Sequence, residues 1–517
     1  RSYSVTGVQT CALPIYWADM LGRIEVEGGR TSDRVKFYTA LYHALLGRGL
    51  ASDANGAYPR NDGGVGQIAP GPNGAPPYHH YNSDSVWGTF WNLNQLWALA
   101  YPDYLSEYIR CHLDHFRDCG WLPDSIAAAK FVSGVGTDYM GLLVSTAYGW
   151  GIRNYDPELA FAAVWRNEMG WQNRPKGVGK ADVKAFLDRG YVPLVTNPDA
   201  YSGSSAEGSQ FSASHTLEYS FSAFAAAQFA RALGKTNEQA RLLHYARGWE
   251  QLYDPETDFI RPKDLNGQFV SEFNPRQAWV GFQEGNAWQY TFYVPHDPAG
   301  LIDKMGLTTF NERLEHVFQQ AEKTRFGGGT TVDAFAGVES VYNHGNQPSL
   351  HIAWLFNYGG QPWRTQYWVR RICDVFYGTD AVHGYGYGQD EDQGQLGAWF
   401  VLAALGLFDV QGGAGVTPTL QLASPLFSQI RIQLHPDFHR GGSWEIRVAG
   451  DPSRDTYIQS AQVNGAPLER CWIPWETVTR GGRLNLVLGS QPANSWGRQE
   501  PPRSEEHTSE LQSPNTI

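Results

Sequence analysis

The chain has 517 residues, a formal net charge of −12 and 18% charged residues. That length exceeds what one ordinary domain needs and allows a large core, while a mildly acidic balance argues against a nucleic-acid partner, which wants a basic face. The longest apolar stretches, such as LGAWFVLAALGLF over 396–408, are too short for a membrane span.

The two ends differ in character from everything between them. Residues 1–15 (RSYSVTGVQTCALPI) and 503–517 (RSEEHTSELQSPNTI) read as translated sequencing adapters, because a DNA string encoding EEHTSELQS has a reverse complement encoding TGVQTCALP. Both are set aside before the fold is considered, and the lack of a signal peptide then says nothing about export. Without Cys11, the cysteines are Cys111, Cys119, Cys373 and Cys471. Their spacing matches no zinc pattern and fixes neither disulfides nor redox compartment. The 14% aromatic content, with 19 Trp, 27 Tyr and 25 Phe, hints at sugar stacking, since aromatic faces pack on the C–H faces of sugar rings as well as building cores.

In chain order, SDRVKFYTALYHALLG (32–47) is a helix that starts at a Ser/Asp cap and stops at Gly47. VWGTFWNLNQLWALA (86–100) and YLSEYIRCHLDHFRDC (104–119) follow closely, and helical periodicity recurs at 138–150, 157–168, 216–233, 236–252, 309–323, 349–358, 363–377 and 394–406. Helix after helix without intervening strands predicts stacked hairpins. The length suits a closed ring of six helical pairs, an (α/α)6 barrel or toroid, over 16–411. Beyond about 412, the segments 429–436, 443–450, 457–465 and 483–489 alternate with period two and predict a small C-terminal antiparallel β layer packed on the barrel over 412–498. Three long Gly-rich loops, 51–84, 326–349 and 378–395, interrupt the helices, and loops of that length in a compact domain are usually functional.

Chemistry concentrates in three segments. In FQEGNAWQYTFYVPHD (282–297), Glu284 lies among Trp288, Tyr290, Phe292 and Tyr293. Aromatic crowding desolvates a carboxylate and raises its pKa, as a general acid requires; local capping or a salt bridge is the plainer account of the same residue. In GYGQDEDQGQLGAWFVLAAL (386–405), Asp390, Glu391 and Asp392 stand at the start of an apolar helix, whose dipole favours ionised carboxylates. That suits a general base, although simple N-capping accounts for one of the three acids. A protonated and an ionised carboxylate are the division of labour of glycosidases. The third segment, YNHGNQPSLHIAWLFNYGGQPWRTQ (342–366), places Asn343, His344, Asn346 and Gln347 before a helix. Amide and carboxylate oxygens there suit a hard cation such as Ca²⁺, while helix capping explains them equally well.

These three segments, in this order, resemble glycoside hydrolase family 92, the calcium-dependent inverting exo-α-mannosidases. The resemblance runs from KFYTALYHALL (36–46) and SHTLEYSFSAFAAAQFARALGK (214–235), through YDPETDFIRP (253–262), EGNAWQYTFYVPHD (284–297) and HGNQPSLHIAWLFNYGGQPWRTQ (344–366), to DEDQGQLGAWFVLAALGLFDV (390–410) and PANSWG (492–497). It implies Glu284 as general acid, Asp390 and Asp392 as the pair that activates water, and Ca²⁺ near Asn346 and Gln347. Substrate contacts are expected from Trp87, Trp288, Gln289 and His344. It also implies a mannose-bearing oligosaccharide or glycoprotein glycan as substrate, an N-terminal β-sandwich expected to lie in sequence upstream of this chain, and a periplasmic or secreted setting.

Three positions depart from the family pattern. Gly88 and Trp91 stand where Asp and Arg usually flank Thr-Phe; Gln347 replaces a Glu; and 327–340 shows no His-Glu pair of the kind that α-1,2-specific members carry. Two rival readings follow, an exo-glycosidase of the same mechanism on another sugar and a catalytically impaired sugar-binding relative. A polysaccharide lyase on a helical toroid would want a Tyr/His or Lys base instead.

Overall fold

The computed structural model describes residues 15–46, 49–83, 86–87, 89–132, 134–196, 204–328, 335–379, 393–415 and 417–504. Helices dominate up to residue 405: α1 (Thr31–Leu46), α2 (Leu93–Ala100), α3 (Pro102–Cys119), α4 (Tyr139–Gly149), α5 (Pro157–Met169), α6 (Val183–Arg189), α7 (Ser212–Ala232), α8 (Thr236–Ala246), α9 (Ala287–Tyr290), α10 (Pro298–Met305), α11 (Leu307–Lys323), α12 (Pro362–Val375) and α13 (Gln395–Leu405). None of the described helices is long and apolar enough to cross a membrane.

Burial sorts these helices into two layers. Every residue of α2 and α13 is buried, as is nearly all of α4 and α7. Their neighbours α3, α8 and α11 are amphipathic, with polar faces in water. A helix apolar all round needs protein on every side, whereas a one-sided helix needs it on one. Alternation of the two kinds therefore makes an inner ring and an outer ring. Helix α1 closes the circle, for it packs along α13. This is an (α/α)6 barrel, and its sixth pair joins the two ends of the helical region.

Local signals set many of the boundaries. Asp156 and Asp297 cap α5 and α10 by accepting backbone N–H bonds, and each is followed by Pro, whose missing N–H costs nothing at a helix start. The expected helix over 86–100 begins late, at Leu93, because Asn92 accepts from the Leu93 N–H at 2.6 Å and takes the cap position. The stretch expected as a helix at 349–358 forms instead 3₁₀ turns at Gln347–Ser349 and Ile352–Asn357. Helices α6, α9 and α10 had no sequence-based expectation.

The β layer is a six-stranded sheet in the order β1 (Ile24–Glu27), β2 (Gln429–Gln433), β3 (Ser443–Ala449), β6 (Gly482–Gly489), β4 (Tyr457–Val463) and β5 (Ala466–Pro467). All neighbours are antiparallel except β3 and β6, which run parallel. Alternate residues of β2 are buried, as period-two patterning requires. The edge strand β1 comes from the start of the chain, paired Ile24 to Ile432, so both ends of the helical region are tied to this layer. Arg23 adds a fork to Asp103 at 2.8 and 3.1 Å. Among the described residues the cysteines are free.

Candidate active site

Glu284 sits in a short loop between the long inner helix α7 and the single turn α9. The loop is pinned to the start of α7: Gly281 accepts from Ala213 N–H at 2.8 Å, and Gln283 N–H donates to Ser214 Oγ at 3.1 Å. On the other side Tyr290 donates to the Gln283 carbonyl at 2.8 Å. Between these anchors Glu284 adopts φ 53°, a left-handed conformation that a side-chain-bearing residue rarely holds. Such a conformation persists only where its surroundings enforce it. Its carbonyl accepts from the Asn346 amide at 2.9 Å.

Burial pushes the Glu284 carboxyl up to about 7, with a hydrogen bond from Asn346 pulling the other way. Two further carboxyls lie in the same wall. Glu218, on α7, is pushed up to about 7 by burial despite a 2.6 Å bond from Tyr139, and the charge of Glu284 raises it further. Asp124 is also pushed up to about 7 by burial, although the N–H groups of Gly134 and Gly136 pull it down. Only Glu284 of the three keeps partial exposure; Glu218 and Asp124 are buried. A proton donor to a substrate must reach it, and of these three carboxyls only that of Glu284 is not fully buried.

Behind Glu284, His215 contacts Asp182 at 2.8 Å through Nδ1 and Gln283 Oε1 at 3.3 Å through Nε2. Burial opposes its positive charge, and Asp182 outweighs that, raising the His215 pKa overall. Tyr219 donates to Asp182 and to the Gly136 carbonyl. None of His215, Glu218, Asp182 or Asp124 was expected from sequence as a site residue. The available signal was a His and a Glu one turn apart in SHTLEYS, inside a helix that is otherwise small and apolar.

The remaining expected residues divide. Asp390 and Asp392 lie outside the described residues, as does Gly88. Helix α13 starts at Gln395, and its cap is Gly394 at φ 93°. A Cβ at 394 would fall 2.7 Å from Ala44 Cα, which is why glycine takes the cap.

Gln347 fits the cation expectation. Its Oε1 is buried and has no hydrogen-bond partner, and the same is true of Gln289 Oε1 on the adjoining turn α9. Orphaned neutral oxygens are what a hard cation takes up. Asn346 is engaged at both ends of its amide, donating to the Glu284 carbonyl at 2.9 Å and accepting from the Gln347 N–H at 3.0 Å.

His344 is a core residue. Its ring nitrogens meet the hydroxyls of Tyr342 at 2.8 Å and Tyr377 at 3.0 Å, and its ring lies edge-on to Trp399. No ring nitrogen is left for a substrate, which corrects that expectation. Trp288 packs against Phe259, Arg313 and His316, toward the outer helix α11. Trp87 is partly buried and lies over Gly134, where any Cβ would strike its ring. Trp91 is fully buried, stacked on His351 at 4.4 Å.

A closed ring of helical pairs with a desolvated, partly exposed acid at its wall is an (α/α)6 barrel equipped for proton transfer. The chain belongs to glycosyl hydrolase family 92: the family's catalytic-domain profile matches residues 12–490. A family GH92 α-mannosidase from Bacteroides thetaiotaomicron has the same fold, with a TM-score of 0.81 at 23% identity, covering 97% of this chain and 61% of that one. The same protein has also been solved in complex with mannoimidazole. A family GH92 inverting mannosidase from Bacteroides thetaiotaomicron matches at a TM-score of 0.79 and 27% identity, covering 96% of this chain and 65% of that one. An uncharacterized secreted glycosidase of Arthroderma benhamiae is 27% identical over 442 residues, 78% of this chain and 51% of that protein. The chain thus spans about half the length of this curated relative and under two thirds of the solved ones.

Proposed function

We propose that this chain is the catalytic portion of an exo-acting glycosidase that removes terminal α-linked mannose from glycans with inversion. The observation that carries the reading is Glu284, its carboxyl pushed up to about 7 in a strained loop yet open to one side. Glu284 donates its proton to the departing glycosidic oxygen. Asp390 or Asp392 accepts a proton from the water that attacks the opposite face of the sugar. The Gln347 and Gln289 oxygens would hold Ca²⁺, which supplies a neutralising anchor for hydroxyls of the terminal sugar. The inverting mannosidase and the mannoimidazole complex among the relatives support mannose as that sugar, and the secreted relative supports an extracytoplasmic setting.

Trp91 favours a second reading, the same chemistry on a different sugar. Where an arginine is expected, a buried indole stacked on His351 offers no polar contact to the substrate.

Hydrolysis of aryl α-mannosides, with and without chelator, separates these readings. The test of the acid is Glu284→Gln, which should lose hydrolysis of poor leaving groups by on the order of 10²–10⁴-fold while sparing activated aryl groups. Asp390→Asn or Asp392→Asn should lose both classes, since water attack is needed whatever departs. Equal losses on both classes for Glu284→Gln would remove it from the acid role.

A further inference from the structure

The loop over 49–83 is long; Asn61 and Ser83 tie it to the 125–132 hairpin, and its tyrosines anchor it along one stripe of α3. Tyr81 OH donates to Glu107 at 2.8 Å, Tyr78 OH to Asp114 at 2.8 Å and Tyr58 OH to Asp118 at 3.0 Å, while Tyr81 N–H meets Cys111 Sγ at 3.4 Å. These partners recur every three or four residues, which is one helix face. On that face Cys111 and His115 are one turn apart, and His80 enters from the loop. Its ring is stacked on Tyr58 at 3.9 Å and edge-on to His115 at 4.6 Å.

All three residues are buried, and their donor atoms lie within 4.8 Å of one another. The Nε2 atoms of His80 and His115 have no hydrogen-bond partner. Two imidazoles converging with idle nitrogens on a thiol are costly unless something fills the space between them. Burial pulls His80 down to about 4 and His115 well below its ordinary value, so each ring presents a lone pair. Asp114 Oδ2 stands 4.0 Å from His80 Nε2 and is steadied by Tyr78, while Arg117 holds its other oxygen. Hydrogen-bonded carboxylates of this kind are usual at metal sites.

We propose that His80, Cys111 and His115 form a zinc site that staples the 49–83 loop to α3, with the fourth position taken by water and Asp114 alongside as an outer carboxylate. Two nitrogens and one sulfur suit a borderline-soft tetrahedral ion and not calcium, which takes oxygens. On binding, the Cys111 S–H bond breaks, the sulfur keeps the electron pair as the bond to zinc, and the proton leaves to solvent. Spacing among the cysteines alone could not reveal such a site, because its other ligands are histidines. It is separate from the oxygens of Gln347 and Gln289 and does not depend on the mannosidase reading.

The full chain, stripped with chelator and dialysed against zinc, should retain about one zinc per chain when measured by elemental analysis, undiminished by excess calcium. Cobalt in its place should give a thiolate-to-metal charge-transfer absorption. Cys111→Ser should abolish that band, and His80→Gln, a loop change that leaves α3 intact, should weaken zinc binding by at least about tenfold. Zinc should also slow proteolysis within 49–83. A folded wild-type chain that retains no zinc, a missing cobalt band, or zinc binding unaltered by His80→Gln would overturn the proposal.

Discussion

Asn346 donates to the Glu284 carbonyl at 2.9 Å while its own oxygen accepts from Gln347 N–H at 3.0 Å. One amide side chain thus joins the residue with the raised carboxyl pKa to the residue with the orphaned oxygen.

Asn346→Ala should therefore do two things at once. Loss of the cap costs about 1 kcal/mol, and the freed Glu284 carbonyl adds about 1–3 kcal/mol if it stays buried. Asn346 also contacts the Glu284 carboxyl itself and holds it below where burial alone would put it, so the alkaline limb of the pH–rate profile should move upward. Denaturant midpoints and the profile check the two effects separately. Lost stability with an unmoved limb would show a contact that is structural only.

The wild-type profile has a definite sign. Glu284 is pushed up to about 7, so the acid form dominates below that pH, and kcat/KM should fall as pH rises through about 7. An alkaline limb that follows a different group would persist in Glu284→Gln when activated substrates are used. Disappearance of the limb in that variant is the expected result.

Stability should move the same way with pH. Asp124 is buried and pushed up to about 7 from 3.8. The native state then binds more protons than the unfolded state between those values, and stability declines as pH rises across that window. Asp124→Asn keeps an oxygen for the Gly134 and Gly136 N–H groups and removes the titration. It should flatten the decline and gain on the order of 3 kcal/mol at pH 8 relative to wild type. Unfolding curves at pH 5 and pH 8 decide it; an unchanged slope would mean that Asp124 stays ionised.

What the sequence disclosed follows from period and composition. The apolar run at 396–405 and the alternation at 429–433 carry their own burial pattern, so α13 and β2 were legible. Helix α10 was missed although Asp297–Pro298 is a cap followed by a helix-starting proline; its eight residues give too few turns for a period to register. Glu284 was legible from its aromatic neighbours. Glu218 and Asp182 were not, because their meaning comes from Tyr139, His215 and Tyr219, which only the ring brings together. His344 misled for the complementary reason: a polar residue in a polar loop looks available until Tyr342 and Tyr377 engage both ring nitrogens.

Gln347→Glu should convert a neutral oxygen into a charged one at a buried position. Without calcium, the new carboxylate has nothing to offset its burial, and the melting temperature should drop by several degrees. With calcium it should recover, and calorimetry should find tighter binding than in wild type by at least about tenfold. Magnesium, which demands a stricter octahedron, should restore less. Equal melting temperatures with and without calcium would place the cation elsewhere.

The last prediction concerns the frame behind the site. Glu168, near the end of α5, and Lys180 form an ion pair at 2.6 Å with both side chains almost wholly buried. Burial raises the Glu168 pKa and the Lys180 charge opposes it, so the carboxylate relies on its partner. Lys180→Met alone leaves that charge unpaired and should cost about 3–5 kcal/mol, whereas Glu168→Leu combined with Lys180→Met should cost far less, since a buried ion pair gains little over apolar groups of similar size. Lys180 also sits two residues before Asp182, the partner of His215. The single variant should therefore lower kcat as well, and the double variant should restore part of it. A double-mutant cycle in denaturant, read beside kcat, checks both. Additive losses in the double variant would mean that the two side chains act independently, and the pairing would then have no energetic role.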